Sequence, residues 1–414
     1  MAAMRSRNVP ALRLEGFDGD WEVETLSSLA GVITGNTPPT KDLKNYGAYI
    51  PFLGPADLDV ARGIRASTKY LSAQGLCLAR EIPPGATLLV CIGSVGKVGQ
   101  NAIPVTTNQQ INAIVSRNIR ANDFIFTRIE SMAGSIASNS STQTMPIISK
   151  SRLEKISLSI PPTLEEQQAI GAIFTNLDAA INQHTKKHQA LQQAKVALMQ
   201  RMFPQEGQTV PELRLDGFDG EWKLIKLDTF DIKTGPFGST LHAKDYVSVG
   251  TPIVTTEHFK SGQLPNTGDD IPQVSKQDAA RLSMYALNEA DIVFSRVGSV
   301  DINARVTQCQ KGWLFSGRVL RLRLDASCDA SFLHSALETE QVRTSIISRA
   351  VGQTMPSINT KILGATEVSI PPMLEEQQAI GAVFTRLDTL IATEAKYIES
   401  LKQTKTALLQ RMFI

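Results

Sequence analysis

The sequence predicts an α+β protein in which two mixed α/β heads are joined by two long antiparallel helices, an intramolecular coiled coil, with the halves related by a pseudo-twofold internal repeat. Three observations carry this. Residues 161–181, PPTLEEQQAIGAIFTNLDAAI, return at 371–391 as PPMLEEQQAIGAVFTRLDTLI with 16 identities in 21, and the offset of 210 holds through ALMQRMF (197–203) and ALLQRMF (407–413). Upstream, VPALRLEGFDGDWE (9–22) returns as VPELRLDGFDGEWK (210–223) at an offset of 201. Between these shared segments, 23–160 and 224–370 are mostly unlike. They agree only in short echoes such as GSVGKVGQNA (93–102) beside GSVDINARV (298–306), and TQTMPIIS (142–149) beside GQTMPSIN (352–359). A solenoid usually needs three or more short units of about 20–50 residues to bury a core. Two long units with one chassis and two different heads suggest an internal dimer.

The elements follow in order. An opening segment (1–22) precedes a first head (23–160) and a first spacer helix (161–204). A linker repeating the opening segment (205–223) leads to a second head (224–370) and a second spacer helix (371–414). At 414 residues the chain is long enough for two or three domains with real cores, and its 42 % hydrophobic and 20 % charged content is that of an ordinary globular protein. No run approaches the roughly 18 consecutive apolar residues of a membrane helix, and MAAMRSRNVPAL has no apolar core to act as a signal peptide. A cytoplasmic location without a membrane partner is expected. Cys77, Cys91, Cys309 and Cys328 show no CxxC spacing, which supports neither a zinc ribbon nor a disulfide framework; reduced and mostly buried thiols are expected.

Pro161 and Pro162 can end an extended segment, and Glu165 and Glu166 fall where a first helical turn favours negative charge; Pro371, Pro372, Glu375 and Glu376 repeat the arrangement. From there Ile170, Phe174, Leu177, Ile181, His184, His188, Leu191, Lys195, Leu198 and Met202 step by four and three, a heptad seam. Ile380, Phe384, Leu387, Ile391, Glu394, Ile398, Leu401, Lys405, Leu408 and Met412 repeat it. A helix of this extent would be ~58 Å long and cannot bury its seam alone. Equal length and matching seams make the other copy the obvious partner, antiparallel by the twofold relation. Packing on each helix's own head, or pairing between chains, is the alternative. His184 and His188 have metal-ligand spacing, yet no Cys, Asp or third His completes a site in either copy. They are read as a polar break in the seam, and neither metal nor cofactor is expected.

Each head opens with a polar, turn-rich loop, TGNTPPTKDLKNYG (34–47) or KTGPFGSTLHAKDY (233–246). Strand-like runs follow, among them AYIPFL (48–53), ATLLVCIG (86–93), TPIVTT (251–256), DIVFSRV (291–297) and RVLRLRL (318–324). Loops rich in Thr, Asn, Gln, Ser and Lys can present amides and hydroxyls to base edges, although any solvated loop has the same composition. On this reading the DNA-contact candidates are Thr34, Asn36, Thr37, Lys41, Asn108, Gln109, Thr142 and Gln143 in the first head, and Lys233, Thr234, Gln353 and Thr354 in the second. GSVGKVG (93–99) lacks the spacing of a nucleotide-phosphate loop. A strand-end turn that brings backbone amides to a DNA phosphate remains open, which adds Ser94, Lys97, Arg296 and Ser299. The formal charge of +2 weighs against bulk electrostatic capture of nucleic acid. A basic face would be hidden in that total, and Arg296, Arg305, Lys311, Arg318, Arg321 and Arg323 form a dense stretch, so Arg305 and Arg318 join the candidates.

On these residues the chain resembles the specificity subunits of type I restriction-modification systems. The resemblance covers essentially the whole sequence: PELRL…GFDGEW, the GxTPP-like loop at Gly35 to Pro39, the GSVG turn, TQTMP…IS, and IPPxLEEQQAIGAxFxxLD, in order and twice. It implies that each head is a target recognition domain reading one half of a split double-stranded DNA sequence, with the helices as spacer. It also implies that two modification subunits, and in the full enzyme two restriction subunits, assemble on the chain. Departures are DINARV in place of the glycine-containing turn of the first head, and Met373 in place of the capping-competent Thr163. Catalytic motifs are missing: IPPG, IPPT, IPPM and TPPT all lack the polar residue and the aromatic that flank the prolines of an amino-methyltransferase. A non-catalytic subunit is therefore expected. The alternatives are a coiled-coil scaffold with protein- or sugar-binding heads and, fitting less of the sequence, a self-contained adenine methyltransferase.

Overall fold

A computed structural model of the chain describes residues 8–59, 62–138, 140, 146–236 and 245–414. The candidates Thr142 and Gln143, and residues 237–244 of the second polar loop, lie outside the described residues. The chain divides into two compact units, one of residues up to 187 together with 394–414, the other of residues 188–393.

In the first unit the strands are β1 (Glu22–Thr25), β2 (Ala30–Thr34), β3 (Tyr46–Leu53), β4 (Arg62–Ile64), β5 (Tyr70–Leu71), β6 (Thr87–Val90), β7 (Val98–Asn101), β8 (Thr106–Thr107), β9 (Ile111–Ser116) and β10 (Ser157–Ile160). A five-stranded sheet runs β2-β9-β6-β7-β4, and a smaller one β5-β3-β8. β6 and most of β9 are buried along their length, which is why TLLV and INAIV read as continuous apolar runs rather than alternating ones. The helix Asn122–Ser131 buries Phe124, Ile125, Phe126 and Ile129. β1 pairs antiparallel with β10, tying the beginning of the head to its end just before Pro161.

The second unit has β11 (Lys223–Lys226), β12 (Asp231–Thr234), β13 (Tyr246–Val247), β14 (Thr251–Val254), β15 (Gln273–Val274), β16 (Ile292–Ser295), β17 (Asn303–Arg305), β18 (Leu314–Phe315), β19 (Val319–Arg323) and β20 (Glu367–Ile370). Its main sheet runs β12-β19-β16-β17, its smaller one β13-β15-β14-β18, and β11 pairs with β20. Two unlike sequences thus build main sheets that share the order of four strands, to which the first unit adds β4.

Both long helices, Leu164–Met202 and Leu374–Met412, have 39 residues. In the first unit Phe174 meets Phe413 at 5.9 Å between ring centroids, Asp178 meets Lys405 at 2.6 Å and His184 meets Glu394 at 2.7 Å. Partner numbers fall as residue numbers rise, so the segments run antiparallel. The second unit repeats this with Phe384 against Phe203 (5.6 Å) and Asp388 against Lys195 (2.7 Å). The seam positions named above are buried or half-buried along both helices. His184 is occupied by Glu394 and packs on Tyr397, and among the described residues no cluster of His, Cys, Asp or Glu could hold a metal.

Each head docks on the helix start through the repeated motif. A Cβ on Gly171 would lie 2.9 Å from the backbone nitrogen of Phe124, and one on Gly381 would lie 2.6 Å from that of Phe332, so only glycine permits this approach. Glu166, fully buried in the first helical turn, takes two hydrogen bonds of 2.8 Å from Arg13. Glu376 takes the same pair, also 2.8 Å, from Arg214. Further along, Lys405 bridges Asp178 and Glu130, both at 2.6 Å, and Lys195 bridges Asp388 (2.7 Å) and Glu338 (2.6 Å). Burial alone would lower the Lys195 pKa, but Glu338 and Asp388 outweigh it and hold the ammonium above its usual value.

Only two of the four thiols are buried. Cys91 and Cys328 are, whereas Cys77 sits at the exposed end of a short helix and Cys309 in an exposed turn, correcting the expectation of mostly buried cysteines. Burial pushes the Cys328 thiol up to about 12, and that of Cys91 upward too. In the native protein, iodoacetamide near neutral pH is expected to label Cys77 and Cys309 and spare the other two until denaturant is added. Mass spectrometry of the labelled peptides checks it, and native labelling of Cys328 would contradict it.

Candidate nucleic-acid interface

One end of each main sheet gathers the polar loops. In the first head Thr34 at the end of β2 and Leu89 of β6 both face Asn112 of β9, Val90 faces Ile111, and Val98 faces Leu89. The end of β2, the start of β9, the end of β6 and the start of β7 are therefore neighbours. Loops 35–42, 91–97 and 108–110 emerge side by side. Asn36 donates to Leu78 O at 2.7 Å, Thr37 to Gln109 Oε1 at 2.5 Å, and Asn108 Nδ2 to Gln110 Oε1 at 3.0 Å. Thr37, Lys41, Ser94 and Gln109 are exposed, and Thr34, Asn36, Lys97 and Asn108 are half-buried.

The turn after β6 is pinned by Gly93, at φ 84°, whose nitrogen donates to Pro146 O at 3.0 Å, and by Gly96, at φ 94°. In the second head Gly298, at φ 86°, makes the same kind of bond to Pro356 O at 2.8 Å. There DINARV supplies no second left-handed residue, yet the turn keeps one closing bond, Ile302 N to Ser299 O at 3.2 Å beside Lys97 N to Ser94 O at 3.4 Å in the first head.

The second head repeats the cluster. Thr234 faces Leu320, Ser295 faces Val319, and Phe294 faces Asn303, which puts the ends of β12 and β16 beside the starts of β19 and β17. Arg296 exchanges backbone contacts with Arg318 and Ile358, and its Nη1 donates to Gly317 O at 3.0 Å. Ser299, Arg318, Gln353 and Thr354 are exposed around it, the last two at a turn closed by paired bonds between Val351 and Ser357. Lys233 lies 5.8 Å from the Tyr285 ring.

The dense basic stretch does not stay together. Arg305 faces Ile292 at the opposite end of the sheet, where Arg323 makes bonds of 2.8 and 2.7 Å to Asp291; Arg321, buried, is paired with Asp231. Of that stretch only Arg296 and Arg318 reach the loop end. Sequence reasoning passed over Arg80, exposed, which donates to Thr34 O at 2.6 Å and so braces the first loop from a distant helix end. No local signal marks it.

Residues 18–193 and 220–403 match the family described as type I restriction modification DNA specificity domain, once in each repeat. The chain belongs to this family. It is 23 % identical over 421 residues to the type I restriction enzyme MjaIX specificity subunit of Methanocaldococcus jannaschii, covering 95 % of this chain and 92 % of that one. Over a shorter stretch of 108 residues, 26 % of this chain and 24 % of the other, it is 32 % identical to the HindI specificity subunit of Haemophilus influenzae. The crystal structure of a type I restriction-modification system S subunit from M. genitalium shares the fold, with a TM-score of 0.69 at 15 % identity over 98 % of this chain and 99 % of that one. The protein is thus a specificity subunit, and catalysis lies in other subunits of such systems. Among its described residues no helix is long and apolar enough to cross a membrane.

Proposed function

We propose that this specificity subunit supplies the address of a type I complex: each head reads one half of an asymmetric, split duplex target through the loops at its sheet end, and the long helices act as spacer. Two modification subunits, and in the full enzyme two restriction subunits, complete the assembly in the cytoplasm. The observation that carries the reading is the recurrence of one loop-bearing sheet end on two heads of unlike sequence. A shared frame fixes where the loops are held, while differing loop residues let the halves differ in the bases they contact. The DNA-contact candidates, to bases or to backbone, are Thr34, Asn36, Thr37, Lys41, Ser94, Lys97, Asn108 and Gln109 in the first head, and Lys233, Thr234, Arg296, Ser299, Arg318, Gln353 and Thr354 in the second.

The test is genome-wide mapping of methylated adenines in matched cells carrying the modification partner with and without this chain. A split motif appearing only with the chain is expected. Its absence from a demonstrably assembled, active complex would favour the scaffold alternative. Exchanging residues 23–160 for another head is then expected to change one half of the motif and leave the other intact, and a change in both halves would contradict separate reading.

A further inference from the structure

The heads share a feature outside the loop ends. In the first, Tyr46 and Ile50 of β3 both pair with Leu71 of β5, so Gly47, Ala48 and Tyr49 are looped off the ladder, and all three are exposed. In the second, Tyr246 and Val247 of β13 pair with Val274 and Gln273 on one edge of β15, and Thr251 and Pro252 of β14 pair with the same two residues on its other edge, so Ser248, Val249 and Gly250 are looped off around the end of β15 at the corresponding place. Each looped segment holds a large side chain out in solvent, Tyr49 at 67 % exposure and Val249 at 86 %. A bulge re-aims side chains away from the sheet.

The charge around the two looped segments differs. Lys44 lies two residues before β3, and its carbonyl accepts from Ser72 Oγ at 2.5 Å; Lys69 leads into β5, its carbonyl accepting from Phe52 N at 2.9 Å. Both lysines are exposed, as is Lys41, and together they outnumber the one exposed carboxylate among them, Asp42. Tyr46 donates its hydroxyl to Pro38 O at 2.9 Å and Asn45 donates to Pro39 O at 3.1 Å, so this bulge is continuous with the 35–42 loop. The second loop has exposed Asp269 and Asp270 in the turn after Gly268, which packs on Pro252, against one exposed lysine, Lys276, two residues past β15. The contrast extends to whole heads. Residues 23–160 hold 13 Lys and Arg against 8 Asp and Glu, a net of +5, whereas 224–370 hold 15 of each.

We propose that the Gly47–Tyr49 bulge of the first head is an additional duplex-DNA contact, with the Tyr49 ring set against a groove and Lys41, Lys44 and Lys69 on phosphates, and that the second head has no equivalent anchor. This rests on the function proposed above. The negative balance beside the second loop repels the phosphate backbone that the positive balance beside the first attracts. The first head then dominates electrostatic capture, and the second contributes readout with little pull of its own.

The experiment measures binding of the assembled complex with its modification partner to a duplex carrying the mapped target, across a salt series. Tyr49→Ala is expected to weaken binding on the order of tenfold, the scale for losing one aromatic contact to nucleic acid. Lys44→Gln with Lys69→Gln is expected to reduce the slope of log affinity against log salt by about 2. Val249→Ala is expected to bind as wild type. Because the substituted side chains are exposed, unchanged thermal unfolding confirms that each variant is folded. Wild-type affinity and slope in both first-head variants would overturn the anchor, as would a loss in Val249→Ala matching that in Tyr49→Ala. If the wild-type complex reads a split motif and the bulge variants match it, only the anchor falls; if the wild type reads no motif, the function proposed above falls with it.

Discussion

Deletion of residues 394–414 is expected to unfold the first unit while leaving the core of the second in place. Met412 and Phe413 are only 2 % and 8 % exposed, and Phe413 lies about 6 Å from the rings of Trp21, Phe124 and Phe174. Removing one such aromatic costs about 3–5 kcal/mol in transfer and cavity terms. The deletion also strips Lys405 from Glu130 and Asp178. Burial already pushes the Glu130 carboxyl up against the pull of Lys405, and a buried charge left without its partner costs about 3–5 kcal/mol more. Together these approach the roughly 5–15 kcal/mol that holds an ordinary domain together. Limited proteolysis should then cut within residues 23–160 first, and Phe413→Ala should lower the unfolding temperature of the first unit alone. A first head as resistant after the deletion as before would refute this account.

Glu376→Ala is expected to destabilise the second unit by about 3 kcal/mol or more, because it strands the Arg214 guanidinium against a buried helix start. Arg214 also donates to the carbonyls of Asp219 and Gly220, so the substitution loosens the GFDG turn along with the helix. The paired change Arg214→Met with Glu376→Leu removes both charges and should recover most of the loss. Urea denaturation of the single and double variants checks it. A double variant no better than Glu376→Ala would mean that the turn contacts, and not the ion pair, carry the stability.

These two predictions also mark what the sequence could and could not convey. The repeat, the unlike heads and the long antiparallel helices were legible because a heptad seam and a near-verbatim copy are local patterns, readable along one stretch of chain. The Arg13–Glu166 pair joins residues 153 apart, and Lys405 reaches Glu130 across 275, so neither leaves a periodic trace. Arg214, Glu376 and Lys195 were visible only as identities between copies, which cannot say which residues touch, and Glu130 and Glu338 lie in the unlike heads, where no identity marks them. Loop residues fared unevenly for the same reason. Thr34, Asn108 and Arg296 flank strand ends that the sheet order brings together, whereas Arg305 follows Arg296 in a basic run yet lies at the far end of its sheet. Alternation along a strand shows which face a residue takes, and only the register shows which end it reaches.

The exchange of helix ends has a consequence for biosynthesis. The second unit is one uninterrupted stretch, 188–393, and everything its core needs has been made once residue 393 emerges from the ribosome. The first unit is discontinuous, and its head waits until residues 394–414, made after the whole second unit, bring Lys405, Met412 and Phe413 to its open side. Domains generally fold in the order in which they are synthesised. Here the order is inverted: the first head matures after the second, and its Phe124 and Phe174 lack their cover for as long as residues 188–393 are being made.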